Sequence, residues 1–377
     1  MPPDHELAAD LRRIGLGAGL DDIGFTDASV LEPARSVLTI RKAAGLAGTM
    51  QFTYRNPERS TDPGRVLDGA RSIVAGLRRY PTVDPPRPAG PVARVARYAR
   101  VDHYGALREA LDAVADELRS RGFTARVHLD DNRLVDRNVA ARAGLGWYGK
   151  NANLLSGRHG SWVVLGNVVT DAVLPPAEGP VADGCGPCRA CVDDCPTGAI
   201  VGPGVVDARR CLAWIVQGPG EIPRAFRAAV ADRIYGCDDC QEVCPPNRGV
   251  ARRVDGAAAS NTDADTSLGI DSDAAWVDAA WIVTAPDDEL LDRHGRWYIA
   301  DRDPDVLRRT ALVVLGNSGR ADDESARHAI EVGGRSNSPV VRSHAVWAAR
   351  RLGCDELVAH TRDDDDVAVR AEWELTP

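Results

Sequence analysis

Three kinds of structure are predicted in series along this 377-residue chain. Residues 1–170 read as an α/β (α+β) domain, 171–250 as a cysteine-rich module, 251–303 as a linker and packing segment, and 304–377 as an all-α array. Three observations carry the prediction. In the first part the apolar period switches between about two and about 3.6 residues, the marks of strand and helix. Eight of the nine cysteines fall between Cys185 and Cys244. Beyond Pro304 a helical pattern repeats at a spacing of 34 residues. A chain this long exceeds what one ordinary core organises, so more than one domain is expected.

The N-terminal elements follow from local pattern. Residues 6–20 have helical spacing and end in glycines, and 70–77 reads as a buried strand. In 104–121, Leu107, Leu111, Val114 and Leu118 recur at three- and four-residue steps, giving an amphipathic helix that Gly122 stops. Residues 123–129 alternate as a strand, 134–143 form a second helix closed by Gly144, and 161–169 are strongly β. Gly15, Gly17 and Gly19 end a helix instead of opening one, so they are not a dinucleotide fingerprint.

The cysteines form two runs. The first is Cys185-x2-Cys188-x2-Cys191-x3-Cys195-Pro196; the second is Cys211, a gap, then Cys237-x2-Cys240-x3-Cys244-Pro245. The first run is the bacterial ferredoxin signature, in which three thiolates meet one cubane and the cysteine before proline crosses to the other cluster. Cys185, Cys188, Cys191 and Cys244 are therefore assigned to one 4Fe-4S cluster, and Cys195, Cys211, Cys237 and Cys240 to a second. Zinc is the alternative, but it rarely needs a third cysteine at x2 and a fourth before proline. The second run departs from a standard ferredoxin through 25 residues between Cys211 and Cys237, with helical character over 223–232. Cys354 reads as a core residue.

Residues 306–312 echo 340–346, and 367–373 begin a shorter third copy, the pattern of HEAT-like helix pairs. The alternative is an ordinary helical cap on the rest. Residues 251–275 read as a linker rich in Ala, Asp, Ser, Thr and Gly. The net charge of −9 belongs to the C-terminal third, where residues 251–377 carry 15 Lys and Arg against 25 Asp and Glu. No apolar run approaches a membrane span. The N-terminal residues show no basic-then-apolar leader, and unpaired thiols suit a reducing compartment, so a cytoplasmic monomer is expected.

A two-cluster module moves electrons singly, so the clusters are expected to feed a redox centre in the N-terminal domain. That domain shows no flavin or nicotinamide motif, and His5, His103, His128 and His159 are scattered. A bound organic or organometallic cofactor is what remains. The segment from His128 to Asn151 is the candidate site. Asp130 directly follows a predicted strand, where α/β folds place chemistry, whereas Asp131 or Asn132 also suits helix capping. Gly144, Gly146 and Gly149, with Lys150 and Asn151, form a loop open to close ligand approach.

Taken together, the Asp130–Asn151 run, Tyr98-Ala99-Arg100, the double ferredoxin cysteines and Cys195-Pro196-Thr197-Gly198-Ala199 resemble the epoxyqueuosine reductase family. The resemblance spans about Gly24 to Pro246, and the helical repeats are similar to the C-terminal extension of some members. It implies a cobalamin-dependent iron–sulfur enzyme, related to reductive dehalogenases, that reduces epoxyqueuosine at the tRNA wobble position. Electrons would pass from an external donor through two 4Fe-4S clusters to cobalamin. Asp130 matches the family's proton donor, with Arg137 seven residues on. Arg59, Ala96, Lys150 and Asn151 match cobalamin-lining positions. Arg133 and Arg137 are the tRNA candidates, within a wider set of Arg94, Arg97, Arg100 and Arg142 of which fewer than half are expected to touch RNA. Two places depart from the family: Asp131-Asn132-Arg133, and the order His103-Tyr104. The rival readings are a small-molecule, dehalogenase-like reductase and a non-catalytic electron-transfer protein.

Overall fold

The computed structural model describes residues 2–80, 84–251 and 272–376, so most of the expected 251–275 linker lies outside the described residues. Contacts divide the chain into two units that interleave along the sequence. Residues 2–80, 101–208 and 239–251 belong to the first, and 84–100, 209–238 and 272–376 to the second. The cysteine-rich segment is thereby shared between them.

The first unit is built on a four-stranded sheet. Its spatial order is Asp22–Asp27, Ser72–Arg79, Val163–Thr170, Ala125–Leu129, and every pairing is antiparallel. The α+β half of the predicted class applies, and a parallel α/β sheet does not. Apolar runs report burial on both faces but are blind to strand direction, because helices cover either kind of sheet alike. One face carries the helices His5–Gly17 and His103–Ser120; the other carries Asp136–Arg142. Alternation sorts the side chains: Ile73, Ala75 and Leu77 join Val139, Ala140 and Leu165 in one core, while Gly76 faces Leu20 and Leu111.

Leu107, Ala110, Leu111, Val114 and Leu118 are all fully buried along His103–Ser120. Asp102 caps this helix, accepting from the Gly105 N–H at 2.9 Å, which satisfies one of the free donors of the first turn. Gly76 and Gly166 stand opposite each other on neighbouring strands. A Cβ at either would come within 2.8 Å and 2.5 Å of Leu111, so the pair forms the groove that seats it. The cysteine loops add the short helices Ala190–Asp193 and Asp239–Glu242, which contact each other, and a two-stranded ribbon, Ile200–Gly202 with Val205–Val206.

The second unit has a three-stranded sheet ordered Arg233–Tyr235, Val92–Val95, Trp276–Asp278. The residues between Cys211 and Cys237 supply the helices Leu212–Ile215 and Arg224–Val230, the latter within the expected 223–232. They share one core with the C-terminal helices Asp305–Ser318, Glu324–Gly334, Pro339–Leu352 and Val367–Glu374. Aspartates of the acidic third serve helix starts: Asp278, Asp323 and Asp366 each accept a main-chain N–H. Cys354 is buried at the end of Pro339–Leu352, as its core reading required. Among the described residues, no helix is long and apolar enough to cross a membrane.

Candidate active site and cluster cysteines

The strand Ala125–Leu129 ends at Asp130, whose φ of +48° lies in the left-handed region that non-glycine residues seldom enter. The Asp130 side chain is open to solvent yet crowded by protein. Partial dehydration, reinforced by the adjacent Asp131 carboxylate, raises its pKa above the usual aspartate value. Tyr148 is likewise 42% exposed, while the protein packed around it raises its phenol pKa.

Asp131 does not cap the next helix. It closes a turn onto Arg133, accepting from its N–H at 2.8 Å and its Nε at 2.6 Å. Against the opposing effect of burial, these contacts hold the Asp131 carboxyl below its usual range. Desolvation, then Arg133, lowers the pKa of buried His128, with Asp131 opposing.

Asp136 opens the helix Asp136–Arg142 and was not singled out by the sequence. Asn167 donates from Nδ2 to its Oδ1 at 2.6 Å. Enclosure by protein, with the Asp130 carboxylate nearby, pushes the Asp136 pKa well up. Its one sequence signal, a second acid six residues after Asp130, is the same signal given by an acid that favours a helix N-terminus.

Arg59 sits exposed in the short helix Pro57–Ser60, capped by Asn56 Oδ1 at 3.0 Å. The next residue ties that helix to the Asp130 turn, since Ser60 Oγ donates to Asn132 O at 2.5 Å. Arg137 reaches across to Ala152 O at 2.7 Å. Ala96 lies in the second unit, buried between Val92–Val95 and the turn Arg97–Ala99, and it backs onto Gly236. Gly236 has φ +71° and a Cβ there would stand 2.6 Å from Ala96, so the residue before Cys237 must be small.

Lys150 and Asn151 reach the cysteine loops. Lys150 Nζ donates to Gly186 O at 2.6 Å and Cys188 O at 2.8 Å. Asn151, buried, donates to Cys240 O at 3.3 Å. Lys150, Asn151, Trp147 and Leu155 share a pocket of about 420 Å³ with Cys185, Cys188, Cys191 and Cys244. Burial, then the neighbouring Cys191, Cys185 and Cys188 sulfurs, pushes the Cys244 thiol up to about 11. The four thiols therefore gather around one pocket. Among the described residues, no three His, Cys, Asp or Glu side chains are gathered to hold a single metal ion.

Of the other four cysteines, Cys195 and Cys240 belong to the first unit and Cys211 and Cys237 to the second. Cys195 Sγ accepts from Ala199 N–H at 3.2 Å. Cys211 opens Leu212–Ile215, and the loop beyond is held by Arg309, buried to 1% exposure, which donates to Ile215 O at 2.9 Å, Gly218 O at 2.5 Å and Gly220 O.

The wider arginine set is largely committed to the protein. Arg97 and Arg100 are buried and paired with Asp84, which removes them from any RNA-facing surface. Arg94 pairs with Asp232 and Arg142 with Asp27. The Val92–Val95 strand carries one arginine, Arg94, whose acidic partner lies far off in sequence.

Comparison with known proteins agrees with this geometry. The family model for a 4Fe-4S double cluster binding domain matches residues 184–247. Epoxyqueuosine reductase of Bacillus subtilis (strain 168) is 30% identical over 383 residues, covering 98% of this chain and 95% of that protein. A crystal structure of epoxyqueuosine reductase with a tRNA-Tyr epoxyqueuosine-modified stem loop superposes with a TM-score of 0.85 at 28% identity, covering 98% of this chain and 97% of that one. The B. subtilis enzyme, in a structure with its catalytic loop swung out of the active site, matches with a TM-score of 0.84 at 27% identity, covering 98% and 97%. This chain belongs to the epoxyqueuosine reductase family.

Proposed function

We propose that the chain reduces epoxyqueuosine at the tRNA wobble position to queuosine, with Asp130 as the proton donor. The observation that carries this is Asp130 itself: an accessible carboxyl with a raised pKa, on a constrained turn, in a chain matched end to end by epoxyqueuosine reductases. Opening an epoxide to an alkene and water takes two electrons and two protons. The 4Fe-4S clusters and cobalamin, when bound, supply the electron-transfer chemistry at low potential.

The residues suit those groups. Cys185, Cys188, Cys191 and Cys244 would hold the first cluster, in a loop clamped by Lys150. Cys195, Cys211, Cys237 and Cys240 would hold the second, as the double-cluster match supports. The candidate cobalamin contacts are Arg59, Asp130, Lys150 and Asn151 of the first unit and Ala96 of the second.

Asp130 then delivers a proton to the departing epoxide oxygen. Its raised pKa increases the fraction of acid available near neutral pH, and general acid catalysis of this kind is typically worth about 10²–10⁴-fold. Arg133, whose side chain keeps 47% exposure while paired with Asp131, and Arg137 are the arginines offered to the stem loop. Phosphate contact there predicts binding that weakens steeply with salt. The C-terminal helices are read as HEAT-like pairs, the enzyme as a cytoplasmic monomer, and the reductant as an external donor.

The test is direct. Protein reconstituted with iron, sulfide and cobalamin is incubated with a reductant and an epoxyqueuosine-bearing anticodon stem loop. Mass spectrometry of the loop should show loss of one oxygen. An unchanged loop alongside reductive dehalogenation of a small aryl halide would favour the dehalogenase-like reading instead.

A further inference from the structure

We infer that Asp136 is a positioning residue for Asp130: an anchor beneath the turn that keeps the proton donor presented to the site. This rests on reading Asp130 as the donor.

A left-handed aspartate persists only where its surroundings over-determine it. Three contacts do so here. Asp131 closes the turn onto Arg133. Ser60 Oγ holds Asn132 O from outside, at 2.5 Å. From below, the Asp136 carboxyl accepts from Asn167 Nδ2 at 2.6 Å, level with His128 two residues before Asp130.

Asn167 makes a firm base. It is 1% exposed, lies on the central strand Val163–Thr170, and stands opposite His128 on the strand that leads into Asp130. Asp136 is also the first residue of its helix, and Val135 before it offers no side-chain cap. The carboxyl is thus tied to Asn167, at the foot of the strand that runs into Asp130.

The ionisable groups facing Asp136 are Asp130, Asp131, Arg137 and Tyr148. Two neighbouring acids oppose its ionisation, and Arg137 opposes them. A neutral Asp136 can hold the turn without fixing a negative charge beside Asp130, leaving Asp130 free to alternate between acid and carboxylate. If neutrality is what matters, asparagine at this position should serve nearly as well.

The experiment compares Asp136→Ala and Asp136→Asn with wild type as cofactor-loaded enzyme, with Asp130→Asn as reference. Hydrogen exchange of the 129–134 amides and the turnover of the modified stem loop are both read. Asp136→Ala should speed exchange at the turn and lower kcat by about 10- to 100-fold with KM unchanged. Asp136→Asn should restore slow exchange, most of kcat and the wild-type pH profile.

The inference is overturned if Asp136→Ala exchanges and turns over like wild type. It is equally overturned if Asp136→Asn is as slow as Asp136→Ala, since the proton of Asp136 itself would then be needed. Should Asp136→Ala fail to fold, Asn167→Ala removes the same anchor from the strand side, and unchanged exchange there would also refute it. If Asp130→Asn turns over normally, the donor reading fails, while the exchange data still decide whether Asp136 holds the turn.

Discussion

Replacing Lys150 with Met removes a charge but keeps much of the side chain's length. In the folded protein that ammonium bridges Gly186 O and Cys188 O, at 2.6 and 2.8 Å, and so clamps the loop carrying Cys185 and Cys188, the first two proposed ligands of the first cluster. A charged hydrogen bond is worth about 1.5–3 kcal/mol when shielded. Lys150 is only partly buried and the Gly186 contact is exposed, so the two together are reduced to about 2 kcal/mol. At 1.4 kcal/mol per decade this is about a 25-fold weaker hold on the cluster. The assay is the rate of iron loss to a chelator, followed by the visible absorbance of anaerobic protein. Lys150→Met should shed the first cluster about 25-fold faster, and Lys150→Arg should fall between. Iron loss at the wild-type rate in Lys150→Met would refute the clamp and return Lys150 to a role on cobalamin alone.

Three further outcomes are expected. Cys244→Ser should lose one cluster, seen as a halving of iron and sulfide per chain, with the second cluster's signal retained. Arg309→Met leaves the Ile215, Gly218 and Gly220 carbonyls without their donor, and should cost about 3 kcal/mol in denaturant unfolding. His294 is buried against Trp297, and desolvation with Arg293 and Arg296 lowers its pKa to about 4 from 6.5. The unfolded chain therefore takes up the proton first, so stability falls as pH drops from about 6.5 toward 4, by about 3 kcal/mol in total. His294→Phe should flatten that part of the stability curve.

Much of this architecture was legible because it is local. The Leu107, Leu111, Val114 and Leu118 stripe marked the long helix within a residue of its ends, and the cysteine spacing grouped four thiols that line one pocket. The place of Asp130 directly after a strand was legible too. What escaped depends on pairing between distant segments. Strand direction leaves no trace in an apolar run such as Ile73 to Leu77. The Val92–Val95 strand pairs with Arg233–Tyr235 and Trp276–Asp278, none of them near in sequence. Arg97 and Arg100 read as RNA-facing until Asp84 was seen beside them. Asp136 escaped because its partner, Asn167, lies on a strand 31 residues further on, and a lone acid at a helix start has an ordinary explanation.

The central claim is that Asp130 gives the proton that lets the epoxide oxygen leave. Single-turnover reduction of an epoxyqueuosine stem loop by Asp130→Asn, with cluster and cobalamin content matched to wild type, tests it most directly. The expected rate is about 10²–10⁴-fold below wild type with stem-loop affinity kept. In wild type the rate should fall as pH rises through the raised Asp130 pKa, because the acid form is the one consumed. Wild-type rates from Asp130→Asn across that pH range would contradict the account.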